Sequence, residues 1–174
     1  MAARPYIAVV GAGVCDETLG AQAEAIGRAL AEGGAIVVCG GLGGVMEAAC
    51  RGAQAAGGTT LGLLPSGDRS TANRYLDLAV PTAMGEGRNV LVVRAADVVL
   101  AVGGEFGTLS EIALALKLGK PVVGLRTWEL GKAGEPVEAI NRAATADEAA
   151  ALALRLAPGC EEVSKNPSSE DRSA

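Results

Sequence analysis

Two glycine-rich stretches in this sequence have the composition of phosphate-binding turns. Residues 40–44 hold four glycines in five positions, and residues 103–107 hold three. Each stretch follows a short apolar run that predicts a buried parallel strand, and each precedes a segment that predicts a helix. Glycine allows a sharp turn close to a ligand, and the free N–H groups at a helix start attract anions. The pair therefore predicts a site for a nucleotide or another phosphorylated ligand.

Backbone and hydroxyl contacts to that ligand are expected from the glycine turns, from the exit of the first strand and from one threonine. These candidates are Gly11, Gly13, Gly40, Gly41, Gly43, Gly44, Gly103, Gly104, Gly107 and Thr108. An alternative role for residues 40–44 is a turn that lets a helix pack closely on the sheet.

Arg88 is the side chain best placed to supply positive charge. It precedes residues 90–96, which we predict as a helix because the parallel strands on either side require a crossover. The helix dipole disfavours a cation in the first turn, so this placement indicates an outside anion. A surface salt bridge is the alternative interpretation.

Thr108 and Glu111 have the spacing of a capping box, with Thr108 as N-cap and Glu111 as the third residue of a helix. Capping alone would account for Glu111. In a second interpretation its carboxylate stabilises an oxocarbenium-like centre or activates water during N-glycosidic hydrolysis, while Arg88 anchors the phosphate. Arg88 and Glu111 are therefore the candidate catalytic residues if the protein is an enzyme. Glu105 would weaken phosphate binding if it points inward.

Composition excludes several kinds of site. None of the 174 residues is histidine, which removes His-based acid–base catalysis and His-ligated metals, and no metal site is expected. Four cysteines without C-x-x-C spacing, and no leader or membrane-spanning run, predict reduced thiols in a cytoplasmic protein. A net charge of −5 without a basic stripe argues against nucleic-acid binding.

The first strand exit, from Gly11 to Asp16, begins like a dinucleotide fingerprint. Asp16 stands where the third glycine belongs, and no acidic residue ends the second strand, which finishes at Cys39 and Gly40. An ordinary NAD site is therefore disfavoured, and a tight turn near another ligand is favoured.

Short apolar runs alternate with helix-length segments, which predicts an α/β fold. We expect a Rossmann-like, doubly wound parallel sheet of about six to seven strands, with helices on both faces, in one domain over residues 1–157. Residues 126–136 are predicted as a loop and residues 137–140 as a last edge strand. The polar residues 158–174 are predicted to be a disordered tail.

The helix predicted over residues 109–118 carries apolar side chains around most of its circumference. Such a helix is buried on two sides. In a chain of this length the second side indicates a subunit interface, and we expect an isologous homodimer through this helix.

The two glycine motifs, G-G-L-G-G-V-M-E-A at 40–48 and G-G-E-F-G-T-L-S-E at 103–111, resemble those of the LOG-like (SLOG) superfamily. This superfamily includes the Lonely Guy phosphoribohydrolases and the molybdenum cofactor carrier proteins. The resemblance covers about residues 5–126. It implies a Rossmann-like fold, usually a homodimer, that binds a nucleotide or phosphorylated ligand.

Lonely Guy enzymes carry the motif P-G-G-x-G-T-x-E-E and an upstream arginine followed by lysine. Arg88 and Glu111 match their catalytic arginine and glutamate, but the loop around Glu105 differs. The sequence is closer to the small carrier-like branch, in which Asn73 and the Arg88–Asn89 pair recur. The resemblance therefore adds Asn73 and Asn89 to the candidate ligand-binding residues.

The carrier-like resemblance implies a binder of a nucleotide or pterin-type phosphorylated ligand that requires no other cofactor. The alternative is a nucleoside 5′-monophosphate phosphoribohydrolase that releases the free base. A pyridoxal-dependent lysine decarboxylase is rejected because that cofactor needs a Schiff-base lysine beside a phosphate cup. The lysines, which lie outside both glycine turns, are Lys117, Lys120, Lys132 and Lys165.

Overall fold

A seven-stranded parallel sheet runs through the centre of the molecule, whose computed structural model describes residues 4–158. Its strands are β1 (Tyr6–Gly11), β2 (Ile36–Cys39), β3 (Thr59–Leu64), β4 (Leu78–Pro81), β5 (Val98–Val102), β6 (Val122–Leu125) and β9 (Asn141–Arg142). Two further strands, β7 (Leu130–Lys132) and β8 (Glu135–Val137), form a separate antiparallel ribbon. The helices are α1 (Glu17–Glu32), α2 (Val45–Ala55), α3 (Asn89–Ala95), α4 (Phe106–Lys117) and α5 (Ala146–Leu156).

Both faces of the sheet are covered by helices, as the sequence predicts. Helices α1, α2 and α5 pack on one face, and α3 and α4 pack on the other. Side chains of β1 alternate between the two layers: Ile7 and Val9 belong to the first core, and Ala8 and Val10 to the second. All five residues of β5 are buried, which is the pattern of a central parallel strand. The predicted doubly wound α/β fold is therefore confirmed.

The strand order, β4-β3-β2-β1-β5-β6-β9, reverses direction between β1 and β5. Gly11 at the end of β1 is in register with Val102 at the end of β5. Open α/β sheets bind ligands at the carboxyl ends of the strands, at such a reversal point. The topology thus brings the exit of β1 beside the glycine turn that follows β5.

The start of α4 differs from the prediction. The helix begins at Phe106, with Glu105 as its N-cap, and no side chain caps it. Gly103 and Gly104 both have positive φ, 56° and 105°, so the chain completes its turn before the helix begins. Thr108 and Glu111 therefore lie within the helix, and their assignment to a capping box is wrong.

The predicted edge strand over residues 137–140 is also wrong. Val137 is instead the last residue of β8, in a ribbon that otherwise lies within the segment predicted as a loop. The sheet ends with β9, parallel to β6. A tight turn at Ala133 and Gly134, with φ of 53° and 88°, closes the ribbon. Positive φ at two successive residues is the requirement of a type I′ hairpin turn.

Apart from Pro158, the tail predicted over residues 158–174 lies outside the described residues. Among the helices of residues 4–158, none combines the length and the apolar character needed to cross a bilayer.

Candidate functional site

A cleft of about 130 Å³ opens at the carboxyl ends of β1 and β5. The β1 exit, the segment before α3 and the first two turns of α4 form most of its wall. Its lining residues are Gly11, Ala12, Gly13, Met46, Glu86, Arg88, Asn89, Glu105, Gly107, Thr108 and Glu111. The topology thus brings together residues that are up to 100 positions apart in the chain, at the place where this fold binds ligands.

Arg88 is the central positive charge of the cleft. It ends a short 3₁₀ helix, Gly85–Arg88, just before α3, and only 6% of its surface is exposed. Its Nη1 donates to Asn89 Oδ1 at 2.8 Å and lies 3.5 Å from Glu111 Oε1. Its buried Nε has no hydrogen-bond partner among the described residues. Because buried donors are nearly always paired, this arginine has capacity for an anionic ligand.

Gly40 provides the space that the guanidinium occupies. A Cβ atom at this position would lie 2.3 Å from Arg88 Nη2, which is too close for any real contact. Gly40, which directly follows β2, therefore supports the arginine from behind and does not line the cleft.

Glu111 faces Arg88 from the second turn of α4, and it is 6% exposed. Burial raises the pKa of its carboxyl to about 7, because desolvation and the charge of Glu86 outweigh the attraction of Arg88. Near neutral pH this carboxyl therefore exists in both protonation states. It can donate a hydrogen bond to an oxyanion when protonated, or exchange a proton with a substrate.

The start of α4 carries the features of an anion site. No side chain caps the helix, so its first amide N–H groups remain available. Nothing lies within 4 Å of the position that a Cβ would take on Gly107, so the backbone there is open to the cleft. Gly104 packs against Thr108, whose Oγ1 would lie 2.4 Å from an added Cβ. Thr108 itself lines the cleft and is 3% exposed.

The turn of residues 40–44 plays a different part. The amide of Val45, the first residue of α2, donates to Ala12 O at 3.0 Å. A Cβ on Gly44 would lie 2.3 Å from the same oxygen. This turn is thus packed against the β1 exit, and none of its glycines lines the cleft, to which α2 contributes Met46. These contacts fit the alternative interpretation of residues 40–44, a turn that lets a helix pack closely on the sheet.

The two asparagines suggested by the resemblance have separate positions. Asn89 lines the cleft, accepts from Arg88 Nη1 and donates through Nδ2 to Ser110 Oγ at 3.1 Å. It therefore orients the arginine and joins α3 to α4. Asn73 lies behind the cleft, where its backbone amide donates to Gly41 O and its Nδ2 donates to Leu42 O. It braces the turn of residues 40–44.

Two residues that the sequence did not single out hold the Gly103–Gly104 turn. Thr127 Oγ1 donates to Gly103 O at 2.5 Å, and Trp128 Nε1 donates to Glu105 O at 3.3 Å. Both residues follow β6, which lies beside β5 in the sheet. Knowledge of the strand order would therefore have predicted that they lie near the turn after β5. Gly103 and Gly104 shape this turn without lining the cleft.

The charge of the cleft is mixed. Glu86, Glu105 and Glu111 supply carboxyl groups, and Arg88 is the cation among the lining residues. Glu105 is exposed at the wall of the cleft, so its charge meets solvent as well as the site. Across residues 4–158, no group of three histidine, cysteine, aspartate or glutamate side chains has a metal-binding arrangement.

Comparison with known proteins finds relatives of similar sequence and fold. An uncharacterised protein of Archaeoglobus fulgidus is 43% identical over 144 residues, which span 78% of this chain and 91% of that protein. The structure of a molybdenum cofactor binding protein from Rippkaea orientalis is 41% identical, with a TM-score of 0.70 over 72% of this chain and 78% of that chain. A molybdenum cofactor carrier protein from Chlamydomonas reinhardtii is 34% identical, with a TM-score of 0.77 over 88% of this chain and 98% of that chain.

The sequence model of the SLOG cluster4 family matches residues 4–154, which include every strand of the sheet and every residue of the cleft. The predicted LOG-like resemblance is confirmed, and the protein belongs to the SLOG cluster4 family.

Proposed function

We propose that the cleft binds the phosphate of a small nucleotide or pterin-type ligand, and that the protein serves as a carrier-like binder of that ligand. The observation that carries this proposal is the buried Arg88 guanidinium, which faces the cleft beside the uncapped start of α4. A guanidinium and free helix N–H groups are the donors that proteins use for phosphate. The molybdenum cofactor binding and carrier proteins among its structural relatives favour a pterin-type ligand.

The size of the cleft favours recognition through the phosphate end. Its volume of about 130 Å³ is below the roughly 300 Å³ at which sites begin to enclose a drug-sized molecule. The phosphate would lie between Arg88 and Gly107, and the ring system would extend toward the open mouth. In this arrangement the protonated carboxyl of Glu111 donates a hydrogen bond to the phosphate.

Equilibrium titration tests the proposal. We expect calorimetry to show saturable binding of AMP or a phosphorylated pterin, and no binding of the matching dephosphorylated compounds. Arg88→Ala should weaken binding by about ten- to a hundredfold, since a hydrogen bond to a charged group contributes about 1.5–3 kcal/mol. Arg94→Ala is the matched control, because Arg94 is an exposed arginine of α3 outside the cleft. Equal affinity of both variants for the phosphorylated compound would contradict the proposal.

A second candidate function is hydrolysis of a nucleoside 5′-monophosphate to the free base. The observation in its favour is Glu111, a buried carboxyl with a pKa raised to about 7, 3.5 Å from a phosphate-binding candidate. Incubation with AMP and chromatography of the products separates the two functions. The carrier proposal predicts no adenine release, whereas release that is abolished by Glu111→Gln would establish the hydrolase.

We also propose that the protein is a cytoplasmic homodimer that pairs through α4. The outer face of this helix presents Phe106, which is 75% exposed, and the exposed Ala113. A phenylalanine so exposed, on the same helix face as a small residue two turns further along, favours a helix-to-helix contact. The cytoplasmic location is supported by three unpaired cysteines among the described residues, Cys15, Cys39 and Cys50.

A further inference from the structure

Two buried cysteines face each other beneath the turn of residues 40–44. Cys39 ends β2, Cys50 lies in α2, and their Sγ atoms are 3.5 Å apart. Both residues are fully buried, and the amide of Gly41 donates to Cys39 Sγ at 3.2 Å. The proposed function uses neither thiol, so this pair needs an explanation of its own.

The surroundings of the pair make its two sulfurs unequal. The hydrogen bond from Cys50 lowers the pKa of the Cys39 thiol, and the Gly41 amide and Arg88 add to this effect against burial and Glu111. The same hydrogen bond, together with burial, raises the pKa of Cys50. Cys39 is therefore the sulfur that loses its proton more readily, and the thiolate is the nucleophilic form of cysteine.

We propose that Cys39 and Cys50 form a reversible disulfide when the protein meets a peroxide. The Cys39 thiolate attacks one peroxide oxygen, which forms an S–O bond, breaks the O–O bond and releases hydroxide. The Cys50 sulfur then attacks the Cys39 sulfenic sulfur, so that the S–S bond forms and the hydroxyl leaves as water with the Cys50 proton. Together with the proton lost earlier from Cys39, two thiols are oxidised and one hydrogen peroxide is reduced to two waters.

Access for the oxidant comes from the cleft. Met46 lies in one buried cluster with both cysteines and also lines the cleft, so this flexible side chain connects the cluster to the cleft. Disulfide formation must close the 3.5 Å separation to about 2.05 Å, which draws the end of β2 toward α2. Gly40, the next residue, supports the Arg88 guanidinium, so the movement reaches the cleft.

Peptide mapping tests the disulfide. In a Cys15→Ser/Cys160→Ser variant, hydrogen peroxide treatment is followed by alkylation of free thiols and digestion with a protease that cleaves after glutamate. Glu47 lies between Cys39 and Cys50, so the two resulting fragments stay together only if a disulfide joins them. We expect a mass that corresponds to the two fragments joined by a disulfide, and reduction should convert it to the two separate fragments. The same linked species should appear in the digest of the wild type.

Cys50→Ala in the same background is the control and should yield no linked fragments. Recovery of Cys39 and Cys50 as alkylated thiols after peroxide treatment, or as unlinked sulfinic acids, would overturn the proposal. Linkage of either residue to Cys15 in the wild type would also overturn it.

The consequence for binding rests on the proposed function, and it has a separate readout. The disulfide form should bind AMP at least about tenfold more weakly than the reduced form, which corresponds to the loss of one charged hydrogen bond. An unchanged Kd would contradict the coupling of the disulfide to the cleft. If the reduced protein bound neither AMP nor a phosphorylated pterin, the proposed function would fail while the peptide map still decided the disulfide.

Discussion

Arg88 and Glu111 show how burial, more than attraction, sets the chemistry of this cleft. The two side chains lie 3.5 Å apart, a separation that in water would favour two ions. Both are nearly excluded from solvent, however, and the pKa of Glu111 rises to about 7. The guanidinium is therefore only partly neutralised by its neighbour near pH 7. This leaves positive charge for a ligand.

The free energy of unfolding should change with pH as Glu111 titrates. The carboxyl has a raised pKa in the folded state, so its stabilising contribution is fully present below about pH 4.5 and is lost as the pH rises through 7. Compared with Glu111→Gln, the wild type should lose about 3 kcal/mol of unfolding free energy between pH 4.5 and pH 8. Urea unfolding of both proteins across this range measures the difference.

Glu138→Gln is the control for that series, since Glu138 is exposed and lies outside the cleft. Its unfolding free energy should follow the wild type at every pH. A constant difference between the wild type and Glu111→Gln would show that Glu111 is ionised throughout, which contradicts the assignment of its pKa.

Asn89 should act by positioning the arginine. Asn89→Ala removes the acceptor of Arg88 Nη1 and the donor to Ser110 Oγ. We expect it to weaken AMP or pterin phosphate binding by about tenfold. Asn89→Asp keeps the acceptor, but it adds a negative charge beside the phosphate, so it should not restore affinity. Calorimetry of both variants measures the effect, and wild-type affinity of Asn89→Ala would contradict the positioning role.

Among the secondary-structure elements, the buried strands were the most predictable from sequence. Strands β1, β3, β5 and β6 each coincide with a short, mostly apolar run bounded by glycine, proline or polar residues, which is the pattern that predicts a strand. Thr145 and Glu148 have the spacing of a capping box, and Thr145 Oγ1 does accept from the Glu148 amide at the start of α5. The same spacing at Thr108 and Glu111 is misleading because the Gly103–Gly104 turn starts α4 two residues earlier than Thr108.

The candidate site was only partly visible in the sequence. Arg88 and the glycines of the β1 and β5 exits could be identified from residue type and from the rule that parallel strands end at one edge. Met46, Glu86 and Thr127 could not, because their positions depend on the angle of α2, on the 3₁₀ turn and on the loop after β6. Their own residue types carry no ligand signal.

Two glycine variants should distinguish the two roles proposed for glycine here: Gly40 leaves space for the Arg88 side chain, and Gly107 leaves space for the ligand. Gly40→Ala places a Cβ 2.3 Å from Arg88 Nη2, so we expect displacement of the guanidinium, loss of binding and a cost of about 1–3 kcal/mol in stability. Gly107→Ala meets no neighbour and should stabilise α4 by about 0.5–1 kcal/mol, while its methyl group obstructs the phosphate. Thermal unfolding and calorimetry of both variants measure these effects.

The expected pattern is lower stability with weak binding for Gly40→Ala, and unchanged or higher stability with weak binding for Gly107→Ala. Full binding by Gly107→Ala would place the phosphate away from the start of α4.

At the scale of the whole molecule, the proposed pairing through α4 would place two clefts near one interface, because the same helix lines the cleft and presents Phe106. Ala113→Glu should convert the dimer to a monomer, since a charged side chain on the outer face of α4 would be desolvated on pairing. Light scattering coupled to size exclusion measures the mass. Ala151→Glu, on the exposed side of α5 at the opposite face of the sheet, is the control and should remain a dimer. A monomeric wild type would disprove the pairing.

The central claim is that Arg88 and the start of α4 hold a phosphorylated ligand at the switch point of the sheet. Native mass spectrometry of freshly purified wild type and Arg88→Ala, followed by denaturation and identification of any released compound, tests it most directly. We predict that the wild type releases a phosphorus-containing pterin or nucleotide and that Arg88→Ala, purified in parallel, releases little or none. A released compound without phosphate, or equal amounts of the same compound from both proteins, would contradict the claim.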